Sequence, residues 1–333
     1  MSRNTSLSIR RLTVLASALV AMAACQDESP VQPAAPKVAA SGPNAIKIKP
    51  QFYFNGIVFT GTQDNAAGEL YAMNLDGTNV TRLTFDDSTD TRVDLSPDGK
   101  TMIWNKRAPG QVLETEMFTA NLDGSNRKQL THFGAIAGYA RYSPDGSKIV
   151  FMMRLPSLAY EIFVMNANGS NVKQLTSMNR RATVPTWSPD GSKISFQADN
   201  VAGIESIWTM NADGTNQKLL QSCVYPGCIR PKWSPVANEI AYERLETGGI
   251  SVMDASTALE TGYIANPNHD MDAAWTKDGK QLVFSSWRGN LPGNTTSDLF
   301  MTAPVRGPVT APPPVIHLTS FVGTSEGMPA VSK

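Results

Sequence analysis

From about residue 50 onward, apolar and polar positions alternate in short runs separated by glycine- or proline-bearing turns, the pattern of β-strands and not of helices. The runs recur in a constant order. A first run, at 93–95, 140–142, 185–187, 231–233 and 273–275, ends in a large, mostly aromatic residue before a hydroxyl residue. That hydroxyl opens the turn Ser96-Pro97-Asp98-Gly99, repeated as Ser143-Pro144-Asp145-Gly146 and Ser188-Pro189-Asp190-Gly191 and weakened to Ser234-Pro235-Val236-Ala237 and Thr276-Lys277-Asp278-Gly279. A second run rich in β-branched and aromatic residues follows at 101–104, 148–151, 193–196, 239–242 and 281–284, with an earlier copy at 56–59. The third run, at 69–74, 116–121, 161–166, 206–211 and 298–302, leads in its first four copies to a second tight turn, Asp76-Gly77, Asp123-Gly124, Asn168-Gly169 or Asp213-Gly214. Glycine there supplies the positive φ of a sharp hairpin. A fourth run ends in Leu-Thr at 83–84, 130–131, 175–176 and 318–319, with Leu219-Leu220 as a looser copy. The fifth unit keeps the apolar pattern and loses both signatures, at Met253-Asp254 and Gly262-Tyr263-Ile264.

Successive Ser-Pro-Asp-Gly anchors lie 47, 45, 46 and 42 residues apart, at 96, 143, 188, 234 and 276. A period in this range, made of four short strands with no helical segment between them, predicts the blades of a β-propeller. Six copies of the second run predict six four-stranded blades in an all-β fold over residues 48–333. The repeat begins on a second strand, and 328–332 aligns with a first strand, so the two ends are expected to share one blade and close the ring without a free edge.

Charge and composition narrow the function classes. The 29 basic and 29 acidic residues cancel, leaving no electrostatic case for nucleic acid. After residue 24 no stretch approaches the roughly 20 apolar residues of a membrane-spanning helix. The N-terminus differs: Arg3, Arg10 and Arg11 precede the apolar run 12–24, which ends in Ala23-Ala24 before Cys25. This reads as an export signal over 1–24. Alanines immediately before a cysteine resemble the lipobox of bacterial lipoproteins, with Met22 where leucine is usual, and the resemblance implies that Cys25 is lipidated and becomes the mature N-terminus. A plain cleaved signal with an incidental cysteine is the alternative. Residues 25–47 are rich in Pro, Ala and Ser without periodicity and are expected to form a disordered tether. Gln26 after the cysteine implies, by the same resemblance, an outer-membrane destination. The remaining cysteines, Cys223 and Cys228, flank a Tyr-Pro-Gly turn and are expected to form a disulfide in an oxidising envelope; a zinc site would need two further ligands that the neighbouring sequence does not offer.

The repeat as a whole resembles the TolB-type (WD40-like, PD40) propeller repeat of bacterial envelope proteins, whose consensus includes the segments LYVMN-DG, RLT and P-W-SPDGK-IAF. The resemblance implies the six-bladed fold and a role in the envelope, outer membrane or periplasm. TolB itself carries an α/β domain before its propeller, and the 26–47 segment is too short to hold one. The same repeat serves partner-binding proteins and the propeller domains of peptidases, so function has to be read from a site.

Both tight turns of each blade fall on one face of the disc, which leaves the variable loops on the other, and binding residues concentrate on loops held by a rigid scaffold. The inter-blade loops, expected at 85–92, 132–139, 177–184, 221–230, 265–272 and 320–327, are expected to rim the central channel. They bring Asp90, Arg92, Arg181, Arg230, His269, Asp270, Asp272 and Glu326 together as candidate binding residues, with Tyr139 and other aromatics among them. Mixed charge with aromatics suits a protein or peptide partner. No catalytic residue, metal ligand set or cofactor is expected: Gly323-Thr324-Ser325-Glu326-Gly327 copies a hydrolase nucleophile elbow without the sheet and helix that elbow needs, and Asp86-Asp87-Ser88-Thr89-Asp90 lacks the glycine and closing glutamate of a calcium loop. The expectation is a monomeric, non-enzymatic, lipid-anchored envelope protein that binds a protein or peptide through the loop face. The alternative, from the resemblance to propeller-type oligogalacturonate lyases, is a lyase acting on an acidic oligosaccharide, with a divalent metal at the channel mouth near His269.

Overall fold

The computed structural model describes residues 55–64, 67–112, 114–179, 181–264, 269–288, 296–307, 313–319 and 325–332. The expected signal segment, Cys25 and the tether lie outside the described residues.

Six four-stranded antiparallel sheets form the blades. Blade 1 pairs the C-terminal strand Glu326–Val331 with Gly56–Gly61, so the chain ends close the ring as its repeats require. Ser332 seals the junction: its hydroxyl accepts the N–H of Gly56 at 3.1 Å and its own N–H reaches the Gly56 carbonyl at 3.0 Å. The innermost strands of blades 2 to 6 are Thr89–Leu95, Ala137–Tyr142, Thr183–Trp187, Cys228–Trp233 and Asp270–Trp275. Each packs against the innermost strands on both sides, forming the wall of the central channel.

The core is a set of layers between blades. On strand Gly56–Gly61 the pleat sends Ile57 and Phe59 toward Val283 and Leu299 of blade 6, and Val58 toward Val93, Leu95 and Trp104 of blade 2. Both faces of each sheet are thereby buried, which is why the middle strands read as nearly continuous apolar runs.

The repeated polar residues have local tasks. In the Ser-Pro-Asp-Gly turn, Ser96 Oγ donates to Asp98 at 2.6 Å and accepts the N–H of Thr101 at 3.0 Å, while Asp98 accepts the N–H of Lys100 at 3.1 Å. Ser143, Ser188 and Thr276 make the same donation to Asp145, Asp190 and Asp278. The threonine of each Leu-Thr pair accepts a third-strand N–H: Thr84 from Leu70, Thr131 from Met117, Thr176 from Ile162 and Thr319 from Leu299, at 2.8–2.9 Å. The Asp-Gly turns lock neighbouring blades. A methyl group on Gly214 would sit 2.8 Å from the carbonyl oxygen of Leu175 in the preceding blade, and one on Gly77 would meet Leu318 in the same way. Blade 5, which lacks these signatures, joins blade 6 through paired hydrogen bonds between Tyr263 and Val305 and a two-pronged contact of Arg306 with Glu239 at 2.6 and 2.8 Å.

Candidate functional site

Every innermost strand carries a β-bulge at the same place, four residues before the hydroxyl of its turn. The bulge residues Arg92, Tyr139, Val184, Arg230, Asp272 and Met328 all have φ between 51° and 56°, in the left-handed region, and two residues there oppose one on the second strand. None is glycine, so each costs on the order of 1–2 kcal/mol of backbone strain. This corrects the expected loop boundaries: Asp90, Arg92, Arg230, Asp270, Asp272 and Glu326 are strand residues, because pairing with the second strand continues past the bulge, as in Thr89↔Arg107 and Cys228↔Arg244.

Side chains of the second strands brace three of these bulges. Asn105 Oδ1 accepts the N–H of Tyr139 at 3.1 Å, Gln197 Oε1 that of Arg230 at 3.0 Å, and Glu243 Oε1 that of Asp272 at 2.6 Å. All three sit nine positions after the turn hydroxyl, a spacing that escapes a strand-by-strand reading.

On the loop side, blades 2 to 5 enclose a cavity of about 290 Å3, lined by Arg92, Tyr139, Tyr160, Arg181, Val184 and Arg230 among others. The Arg92 guanidinium lies 4.4 Å from the centre of the Tyr139 ring. Arg181 is 60% exposed and pairs with Glu205 at 3.2 Å; Glu205 also accepts from Gln197 at 2.8 Å. Arg230 is held more tightly, 2.7 Å from Glu243 and 3.3 Å from Asp272. Burial disfavours its charge, but Glu243 and Asp272 more than offset this and hold its pKa above the usual guanidinium range. Burial, aided by the neighbouring Asp272 and opposed by Arg230, keeps the Glu243 carboxyl above the usual carboxylate range.

Residues 112–224 match the family described as the TolB beta propeller domain, over the part of the chain where the Ser-Pro-Asp-Gly and Asp-Gly signatures are most regular. Over that span the repeats are of the TolB type. TolB from Acinetobacter baumannii is similar in structure, with a TM-score of 0.65 at 17% identity over 84% of this chain and 67% of that one. A putative TolB from Agrobacterium tumefaciens gives 0.60 at 16%, over 74% and 85% of the two chains. An oligogalacturonate lyase in complex with manganese gives 0.50 at 12%, over 71% and 72%. At these identities the likeness is one of fold. No curated protein matches the chain in sequence at a significant level.

Within the propeller the expected site residues separate. Arg92, Arg181 and Arg230 converge on the loop-side cavity, and Asp272 joins them through Arg230. Asp90 is fully buried inside blade 2, accepting the indole N–H of Trp104 at 2.9 Å beside Lys106 and Arg127, each 3.6 Å away. Burial raises its pKa, against the pull of Lys106. Asp270 is buried against Arg288 in blade 6, and the His269 ring meets Trp287 edge-on with centroids 5.4 Å apart. Glu326 pairs through its backbone with Gly61. Among the described residues no three His, Cys, Asp or Glu side chains converge as a metal site. A disulfide joins Cys223 and Cys228, whose Cα atoms are 5.8 Å apart, at the base of a loop that exposes Val224 and Tyr225.

Proposed function

We propose that this chain is a non-enzymatic envelope lipoprotein, anchored through Cys25 and acting as a monomer, whose propeller binds a protein or peptide partner through its loop face. The observation that carries the reading is the loop-side cavity, where two arginines with exposed or ring-stacked guanidinium groups, Arg92 and Arg181, stand beside Tyr139, Tyr160 and Val184. Arginine and tyrosine around a preformed hollow are the residue types that dominate protein-recognition hot spots. The TolB-type fold and the bulge ring support the reading, since a strained, well-braced backbone holds these side chains in place before any partner arrives. The lyase reading gains little from His269 and Asp270, whose side chains are engaged by Trp287 and Arg288.

The test is affinity capture from envelope extracts with the wild-type chain and an Arg92→Ala/Arg181→Ala double variant. Arg230 is left intact, because its removal strands two carboxylates around a vacated guanidinium site. A partner captured by the wild type and lost with the variant is expected. The same proteins captured by both forms would remove the loop face from the argument.

A further inference from the structure

Two residues beyond each bulge the innermost strands present a second ring, Asp94, Arg141, Thr186, Lys232, Ala274 and Ala330, which lines the turn-side half of the channel. The space measures about 390 Å3, larger than the loop-side cavity and within the roughly 300–1,000 Å3 of small-molecule sites. Its wall is mostly apolar, with Trp187, Trp233 and Trp275 lining it together with the prolines of the Ser-Pro turns, and the exposed Lys277 is also among its lining residues.

The charges in this vestibule are unevenly matched. The Asp94 carboxylate accepts the N–H of Tyr142 at 2.9 Å. Among the described residues Arg141 donates only to main-chain carbonyls, those of Ala140 at 2.9 Å and Val93 at 3.5 Å. The Lys232 carbonyl accepts the indole N–H of Trp275 at 3.0 Å, but its ammonium group has no hydrogen bond or ion pair among the described residues. Two cations, on blades 3 and 5, thus flank the Thr186 hydroxyl of blade 4, and among the described residues no carboxylate is paired to either. Burial, with Arg141 adding to it, pulls the Lys232 pKa down to about 7 against the opposing influence of Asp94, Asp272 and Glu243. A low-dielectric site that holds two like charges apart gains most from an anion placed between them.

We propose that the turn-side vestibule binds a small organic carboxylate, its head between Arg141 and Lys232 against the Thr186 hydroxyl and its apolar body along the tryptophan and proline wall. Ala274 and Ala330 on the far side of the ring leave the room that body needs. The site opens on the face opposite the loop-side cavity and stands independently of the partner-binding reading.

Calorimetric titration of the full chain with 3-phenylpropanoate, 3-phenylpropanamide and inorganic phosphate tests it. Saturable binding of the carboxylate with a change in tryptophan fluorescence is expected, weakened at least about tenfold for the amide, for phosphate and for Lys232→Met. Affinity should also fall about tenfold between pH 6 and pH 8 as Lys232 loses its proton. Absence of saturable carboxylate binding, equal binding of the amide or of phosphate by the wild type, or undiminished binding by a folded Lys232→Met chain would each overturn the proposal.

Discussion

At the residue scale, the repeated hydroxyl and acidic side chains of this propeller complete backbone hydrogen bonding where strands end. Thr176 shows how much rests on one oxygen: it accepts the N–H of Ile162 at 2.9 Å and donates to Glu161, a nearly fully buried carboxylate, at 2.5 Å. Thr176→Val keeps the shape and removes both bonds, so a loss of about 1–3 kcal/mol in urea denaturation is expected, and Thr176→Ser should recover most of it. An unchanged midpoint for the valine variant would show that the hydroxyl is dispensable. The sequence announces this threonine through its place in every Leu-Thr pair. It does not announce Asn105, Gln197 and Glu243, because three different side chains brace the bulges and Met152 occupies the corresponding place in blade 3.

At the element scale, strands were legible because period-two patterning and turn residues mark their turn-side ends sharply. Their loop-side ends were not legible. The bulges extend the inner strands toward the loop face, with no glycine or proline beside Arg92 or Asp272 and with Gly138 and Pro231 beside Tyr139 and Arg230 reading as loop residues, and so residues assigned to loops turn out to be paired strand residues. The same blindness concealed the turn-side ring, since Asp94, Arg141, Thr186 and Lys232 share nothing except their register. Blade-to-blade contact at the Asp-Gly turns yields a measurable consequence. Gly214 (φ 93°) and Gly110 (φ 78°) both pay the left-handed penalty when changed to alanine, but only Gly214 has a carbonyl, that of Leu175, 2.8 Å from the added methyl, while Gly110 faces open space. Gly214→Ala should therefore cost at least about 1 kcal/mol more than Gly110→Ala in paired denaturation curves. Equal costs would mean that the blades can shift apart at this seam.

At the scale of the whole molecule, six blades and their closure follow from counting repeats, whereas the channel's two chemically distinct halves emerge only when six unlike residues are brought to one level. The loop side has Arg181 and Arg230 tied to Glu205, Glu243 and Asp272, and among the described residues the turn side leaves Arg141 and Lys232 without such partners. Closure makes the ring one cooperative unit. Deleting residues 328–333 removes the bulge, the second-ring alanine and the Ser332 clasp from blade 1, and exposes the edge of Gly56–Gly61. Loss of the cooperative thermal transition is expected, and a truncated chain melting at the wild-type temperature would refute the closure argument.

That clasp also sets a clock. Gly56 and Ser332 are 276 positions apart, so a chain made from its N-terminus carries an unfinished first blade until Ser332 has been added. Five blades can pair internally while synthesis proceeds, but the channel, with both of its chambers, comes into being in a single late event, and any binding that depends on it must wait for the strand that ends at Ser332.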